Sequence, residues 1–139
     1  MTIDELKQIL KVPAKKIVCT TQTYSAGDWE KYTIEDEAGR YLPFLLQRQS
    51  AKRCRIIASP EGKKTIPYEI IQEALDSGDS VLVFEHYGCG ECGVQQELVP
   101  PVMKQPNLSR ALLWMGKTLM GEWCSDYLLA MEFIRTQFP

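Results

Sequence analysis

The spacing of apolar residues changes along the chain, and this change limits the folds that the sequence can adopt. Within residues 29–36, apolar and polar residues alternate, with Tyr32 and Ile34 on one face. From Leu108 to Phe138, apolar residues return every three or four positions. A period of two is typical of a half-buried strand, and a period near 3.6 is typical of a helix. The sequence therefore predicts an α+β protein in which strands precede a helical C-terminus.

Turn residues divide the chain into short predicted elements. Thr2 and Glu5 form a capping-box pattern ahead of a helix that Pro13 ends. Strands are predicted over 16–23, 29–36, 40–47 and 53–58, followed by a helix over 67–76 and a buried strand over 80–84. Together they predict an antiparallel β-meander of about four strands and a strand-helix-strand unit, with one or more C-terminal helices packed on the sheet. Gly116 and Gly121 allow either one kinked C-terminal helix or two helices.

The length of 139 residues predicts a single domain over 1–139. Its β-rich part spans about 14–60, and the strand-helix-strand unit with a cysteine loop spans about 53–99. The helical C-terminus spans about 107–138. A further short element over 94–99, strand or helical turn, precedes the pair Pro100-Pro101, which breaks any regular element.

Charge and terminal sequence restrict the partners and the location. The net charge of −2 gives no whole-chain argument for nucleic-acid binding, and the basic run Arg48, Lys52, Arg53 and Arg55 reads as a solvated strand face. The first residues lack a positive leader followed by an apolar stretch, and no apolar run of about 18 residues predicts a membrane span. We therefore expect a cytoplasmic protein without a membrane partner.

One segment suggests chemistry. The only histidine, His86, stands three residues before the only Cys-x-x-Cys pair, Cys89 and Cys92, and glycines separate the three. Thiolates and an imidazole close together on a freely turning backbone suit a metal ion or a dithiol couple. The third interpretation of the same residues, after a metal site and a dithiol couple, is a surface loop that binds no ligand.

As a metal site, the loop would use His86, Cys89 and Cys92 as ligands. Zinc requires four ligands in a tetrahedron, so a fourth must come from one of the remaining cysteines or from another chain. The remaining cysteines, Cys19, Cys54 and Cys124, stand in predicted strands or on an apolar helix face and are expected to be packing residues. The ion would be zinc or iron, and zinc is the candidate cofactor.

The stretch from Val81 to Cys92 also resembles the thioredoxin active-site segment. In both, an apolar strand runs into an aromatic-containing loop and then into Cys-Gly-x-Cys, here Cys89-Gly90-Glu91-Cys92. The resemblance implies that Cys89 is a nucleophile and Cys92 the resolving thiol. It does not extend to the C-terminus, which reads as helix where the family has two strands. A thioredoxin-like dithiol oxidoreductase is therefore the alternative function.

The C-terminal helical region is apolar over more than one face. One stripe runs through Leu112, Met115, Leu119, Trp123, Tyr127, Ala130 and Ile134, and a second runs through Leu113, Met120, Cys124, Leu128 and Met131. A sheet of about four short strands covers one stripe, so the other is expected to meet a protein partner or a second copy of the chain. Trp114 is the expected anchor of this contact.

These observations favour a non-catalytic function. We expect a small cytoplasmic binding or regulatory protein with a metal site in the loop 86–92 and a helical interaction surface that forms a homodimer or binds a protein partner. No phosphate loop, nucleophile elbow or dinucleotide fingerprint stands in the sequence.

Overall fold

A computed structural model describes residues 1–50, 52–89, 92 and 101–138, without the side chains of residue 24 and of residues 101–105. The helices and strands follow in the order α1 (Ile3–Leu10), β1 (Ile17–Ala26), β2 (Trp29–Asp36), β3 (Tyr41–Gln47), β4 (Cys54–Ser59), α2 (Tyr68–Asp76), β5 (Ser80–Glu85), α3 (Pro101–Trp114) and α4 (Leu119–Gln137). A short 3₁₀ helix, Lys63–Thr65, links β4 to α2. The predicted α+β class is confirmed.

The described strands form one mixed sheet of five strands in the order β1-β2-β3-β5-β4. β1, β2 and β3 are an antiparallel meander, and β3 also pairs with β5 in the antiparallel sense. β4 and β5 are parallel, so α2 lies on the crossover between them. The predicted strand-helix-strand unit is therefore present.

The antiparallel meander was predicted to contain about four strands, but it contains three, β1, β2 and β3. β5 is inserted between β3 and β4, so the fourth predicted strand pairs with β5 and not with β3. The reason is the composition of β5, whose residues are all buried. A strand that is apolar on both faces occupies a central position and requires a neighbour on each side.

The core lies between the sheet and α4. Ile34, Phe44 and Phe84 from the strands meet Leu129 and Phe133 from α4. The rings of Phe44 and Phe133 are 5.2 Å apart between centroids, within the range of favourable aromatic pairs. A smaller cluster on the opposite face joins α2 to β5. The C-terminal half of α4 is thus the main cover of the sheet.

The helical C-terminus begins earlier than predicted and consists of two helices. α3 starts at Pro101. Proline lacks a backbone N–H, but an N–H at the first position of a helix has no intrahelical acceptor, so no hydrogen bond is lost there. α3 ends before Gly116, whose positive φ of 72° lets the Lys117 N–H donate to the Leu112 carbonyl at 2.8 Å. The predicted helix break therefore occurs at Gly116.

Gly121 has a different role, because it lies inside α4. A Cβ atom there would stand 2.3 Å from the carbonyl oxygen of Leu10, so only glycine permits the end of α1 to approach α4. Thr118 begins α4 as its N-cap, accepting a hydrogen bond from the Gly121 N–H at 2.9 Å. The capping box of Thr2 and Glu5 in α1 is also present.

The predicted element over 94–99 lies outside the described residues. Of the helices that the structure describes, none combines the length and the apolar character that a membrane crossing requires.

Candidate functional site

His86 follows β5 and is buried against α4. Its ring stacks on Trp123 with centroids 4.9 Å apart, and it meets the edges of Phe84 and Tyr127. Burial lowers the pKa of His86, so the imidazole is neutral near pH 7. Its Nδ1 atom is buried and has no hydrogen-bond partner among the described residues. The Nδ1 atom of His86 is therefore available to bind a metal ion, as far as the described residues are concerned.

The loop after His86 depends on Gly88. Its φ of +82° is in the left-handed region, and a Cβ atom there would overlap the side chain of Leu108. Cys89 and Cys92 then close a turn in which the Cys92 N–H donates to the Cys89 carbonyl at 2.9 Å. The positive φ of the turn therefore favours the glycine that the sequence places before Cys89, and a larger residue would also displace the Leu108 side chain.

The two thiols of the loop have different surroundings. Cys89 is buried and its Sγ donates to the carbonyl oxygen of Pro60 at 2.9 Å. Cys92 is half-buried and packs against the core between the sheet and α4. A thiol that donates to a carbonyl oxygen is in its protonated form, whereas metal ligands and nucleophiles are thiolates.

The structure does not test the three predicted metal ligands as a site. Within the described ranges, no group of three or more His, Cys, Asp or Glu side chains is placed to hold a metal ion. The predicted fourth ligands Cys19, Cys54 and Cys124 belong to no such group among the described residues, and all five cysteines are free thiols. Residues 90 and 91 lie outside the described residues. A metal at His86, Cys89 and Cys92 therefore stays a prediction.

The other cysteines differ in exposure. Cys54 packs against the core, and burial raises the pKa of its thiol to about 11. Cys124 is half-buried on α4. The expectation of a packing role is wrong for Cys19, which is exposed because β1 is an edge strand.

A cluster of buried charges lies beside the loop, in the first half of α4. Glu122 and Asp126 are almost fully buried. Lys15 Nζ is 2.5 Å from Glu122 Oε2, and the guanidinium of Arg40 bridges Glu122 and Asp126. Burial raises the pKa of Asp126, and the nearby Arg40 opposes this shift. The cluster joins α4 to the turn between β2 and β3 and to the segment before β1.

The same cluster holds the loop that follows β5. Asp126 Oδ2 accepts the backbone N–H of Tyr87 at 2.8 Å. The indole N–H of Trp123 donates to the Tyr87 carbonyl at 2.9 Å. Both polar groups of the Tyr87 backbone are therefore fixed by α4, which orients His86 on one side and Gly88 on the other.

An open cleft of about 380 Å³ lies next to the charged cluster. Lys15, Arg40 and Lys117 line it, with Leu112 and Met115 of the α3 terminus as an apolar wall. The Arg40 guanidinium lies 4.8 Å from the ring centroid of Tyr87, a cation–π contact at the rim. The volume is in the range of sites that bind small molecules.

The outward face of α4 is apolar between Met120 and Met131, and the exposed charges Glu132 and Arg135 follow it. Together with the α3 terminus it forms a surface that we call the apolar ridge, made of Leu113, Trp114, Met115, Met120, Tyr127, Leu128 and Met131. Trp114 is 92% exposed and the other members are between 38% and 67% exposed. By contrast, Trp123 is half-buried against His86.

The predicted stripes do not match the buried face of α4. That face consists of Gly121, Glu122, Ser125, Asp126, Leu129, Ala130 and Phe133. Of the α4 residues in the first predicted stripe, only Ala130 is fully buried, and Tyr127 is exposed. Most of the second predicted stripe is exposed, as expected for one of the two. Apolar spacing alone did not reveal the buried face, because the helix turns carboxylates inward to meet Arg40 and Lys15.

The predicted basic face is engaged in ion pairs. Arg48 Nε lies 2.8 Å from Glu30, and both Arg53 and Arg55 reach the buried carboxylate of Asp79. Three guanidinium groups thus share two carboxylates, and the partly exposed side chains of Arg53 and Arg55 agree with the predicted solvated face.

Comparison with known proteins does not assign this chain to a family. No protein-family model matches the chain, and no curated protein sequence matches it either.

Sequence reasoning missed the charged cluster. Arg40 stands in a hairpin turn and Lys15 before a strand, positions at which exposed charges are ordinary. The available signal was the pair Glu122 and Asp126, spaced four residues apart on one side of an otherwise apolar helix. Residues four apart share a helix face, so two acidic residues there indicate a polar surface facing inward or outward.

Proposed function

We propose that this chain is a non-catalytic binding or regulatory protein that acts as a homodimer through the apolar ridge, in the cytoplasm. One observation carries the proposal: Trp114, the last residue of α3, is 92% exposed in a helical region with six further exposed large apolar side chains. Aromatic and methionine side chains are enriched in protein interfaces. An exposed tryptophan among them suits an interface anchor.

The size of the ridge supports a second copy as its occupant. Its seven side chains expose about 800 Å² in all, taking about 200 Å² for each fully exposed large side chain. The largest apolar patch of a typical monomer is about 300–600 Å². A stable interface covers about 800 Å² on each partner. Taken as one patch, the ridge exceeds what a monomer ordinarily exposes and matches what one side of a dimer requires.

The charge pattern also supports self-association. The only charged residues between Met120 and Met131 are Glu122 and Asp126, and both are buried on the opposite side of α4. Within the segment from Met120 to Met131, which exposed Glu132 follows, no outward charge opposes the meeting of two copies across a two-fold axis. The spacing in this segment places Met120, Cys124, Leu128 and Met131 on successive turns, which suits pairing of α4 with its symmetry mate.

The experiment compares the unmodified chain with Trp114→Glu by size-exclusion chromatography with light scattering. The unmodified chain is expected to elute as a dimer, and Trp114→Glu as a folded monomer, because a buried carboxylate at the centre of an apolar interface is strongly unfavourable. Tyr68→Glu on α2 is the matched control, since Tyr68 is a 69% exposed aromatic residue outside the ridge.

The control separates the ridge from a general effect of an added charge. Tyr68→Glu is expected to remain dimeric. A monomeric unmodified chain, or a Trp114→Glu variant that stays dimeric, would overturn the homodimer and leave the ridge to another protein.

A metal-binding function at His86, Cys89 and Cys92 is the second candidate, and the unused Nδ1 of His86 favours it. Zinc would have to replace the hydrogen bond from Cys89 to Pro60. The same bond, with the burial of Cys89, counts against a dithiol oxidoreductase, since a nucleophilic cysteine requires an accessible thiolate.

Elemental analysis tests the metal. Protein purified without added metal is expected to carry zinc, and the double change Cys89→Ser and Cys92→Ser is expected to remove it. Cys19→Ser is the matched control, because Cys19 is an exposed cysteine on β1. A metal-free protein of unchanged stability would end this candidate, since structural zinc contributes on the order of 10 kcal/mol.

A further inference from the structure

The cleft beside α4 offers more hydrogen-bond donors than its own carboxylates accept. Lys15 makes one ion pair with Glu122, and Arg40 makes one contact each with Glu122 and Asp126. The guanidinium carries five N–H donors and each ammonium three. Among the described residues, no other side-chain hydrogen bond or ion pair involves Lys15 or Arg40. Unused donors of both residues therefore remain at the cleft.

Lys117 is the least engaged cation of the cleft. Its Nζ stands 3.9 Å from Glu122 Oε1, and its side chain is 48% exposed at the mouth. This separation is too long for a hydrogen bond. The ammonium is therefore positioned to receive an anion that enters from solvent.

Most side-chain acceptors of the cleft are already occupied or closed, and Glu122 Oε1, 3.9 Å from Lys117 Nζ, makes no hydrogen bond among the described residues. Glu122 Oε2 is shared between Lys15 and Arg40. Asp36 Oδ1 accepts the backbone N–H groups of Ala38 and Arg40 at 2.9 and 3.0 Å. Asp36 Oδ2 has no partner among the described residues, but it is buried beyond the reach of solvent. A ligand in the cleft thus meets N–H donors and few open acceptors.

We propose that this cleft binds a small organic oxyanion. The anionic group meets Lys117 and Arg40, and the carbon part lies against Leu112 and Met115 on the apolar wall. The cleft shares Met115 with the apolar ridge, but its other lining residues lie outside the ridge, so the binding experiment tests the cleft whether or not the chain is dimeric. Carboxylates and phosphates share the chemistry that these donors recognise, through charge-assisted hydrogen bonds.

Thermal unfolding and isothermal titration with inorganic phosphate, benzoate and phenyl phosphate test the site, at ionic strength matched with sodium chloride. Phenyl phosphate is expected to bind most tightly, because it combines an anionic group with an apolar ring. Benzoate and phenyl phosphate share the ring and differ in the anionic group, so their comparison distinguishes a carboxylate site from a phosphate site. No saturable binding by any of the three probes would overturn the proposal.

Three variants locate the binding. Lys117→Gln is expected to weaken phenyl phosphate about tenfold, since it removes one charge-assisted contact. Ala38→Phe is expected to abolish binding, because it fills the cleft without removing a charge. Lys64→Gln, a change of an exposed lysine outside the cleft, is the control and is expected to bind as the unmodified chain does. Unchanged affinity in both Lys117→Gln and Ala38→Phe would place the probes elsewhere and contradict the assignment.

Discussion

The two halves of α4 bury opposite kinds of residue. The first half turns Glu122, Ser125 and Asp126 inward, toward Lys15 and Arg40. The second half turns Leu129, Ala130 and Phe133 inward, onto the apolar face of the sheet. Both halves leave apolar side chains on the outward face.

The two halves of α4 therefore have different roles, one in stability and one in positioning neighbouring residues. Burial of apolar area is the dominant favourable term in folding, so the second half holds the helix on the sheet. Buried ion pairs contribute little net stability, because the loss of hydration offsets their attraction. The first half therefore fixes geometry: it positions Tyr87 after β5 and forms one wall of the cleft.

Phe133→Ala tests the second half and has the largest expected effect. Phe133 is fully buried between Tyr32 and Phe44. Truncation leaves a cavity, so we expect the free energy of unfolding to fall by about 3–5 kcal/mol. Urea denaturation followed by circular dichroism measures the change. Ile70→Ala on α2, where the side chain is 47% exposed, serves as the control and is expected to lose less than about 1 kcal/mol.

Asp126→Asn tests the first half. Asparagine keeps the shape and still accepts the Tyr87 N–H, but it removes the charge that pairs with Arg40. We expect a loss of about 2 kcal/mol, smaller than for Phe133→Ala, since the guanidinium keeps Glu122 and is partly exposed. A loss equal to that of Phe133→Ala would contradict the division between the two halves.

The double change Asp126→Asn and Arg40→Gln sharpens the same point. If the two side chains act as a pair, the second change adds less than it does alone, because the partner charge is already absent. Additive losses, measured by the same urea denaturation, would show that Arg40 and Asp126 act independently.

His86 gives the smallest effect and a dependence on pH. Its folded-state pKa lies below the ordinary value of 6.5, because the ring is buried. The unfolded chain therefore binds the proton first, and stability present above pH 6.5 is lost as the pH falls, by at most about 1.4 kcal/mol per pH unit. His86→Phe keeps a ring against Trp123 and is expected to remove this loss.

The comparison is made between His86→Phe and the unmodified chain at pH 7.5 and pH 5.5. Asp126 acts in the opposite direction, because its raised pKa adds stability as the pH falls, but it is present in both proteins and cancels in the difference. Equal pH dependence of the two proteins would rule out His86 as the group responsible.

Local patterns predicted most elements of the fold. The strand over 29–36 coincides with β2, and the Thr2 and Glu5 capping box begins α1 as expected. These features depend on residues near in sequence. The order of the strands does not: the position of β5 between β3 and β4 depends on how two separated units share one apolar strand.

The candidate sites were harder to predict. The loop of His86, Cys89 and Cys92 stood out by residue type, but the carbonyl of Pro60 that receives the Cys89 thiol is remote in sequence. The cleft could not be predicted from the sequence. Lys15, Arg40 and Lys117 are far apart along the chain and come together because each lies near Glu122. The apolar excess at the C-terminus was visible, although periodicity did not say which side of α4 faces outward.

Sedimentation equilibrium of the unmodified chain tests the homodimer most directly. We predict a mass twice that of the 15.9 kDa chain over a wide range of protein concentration. The dimer is expected to persist between low and high salt, because the ridge between Met120 and Met131 presents no charge outward. A mass of 15.9 kDa throughout, at every protein and salt concentration, would contradict the account.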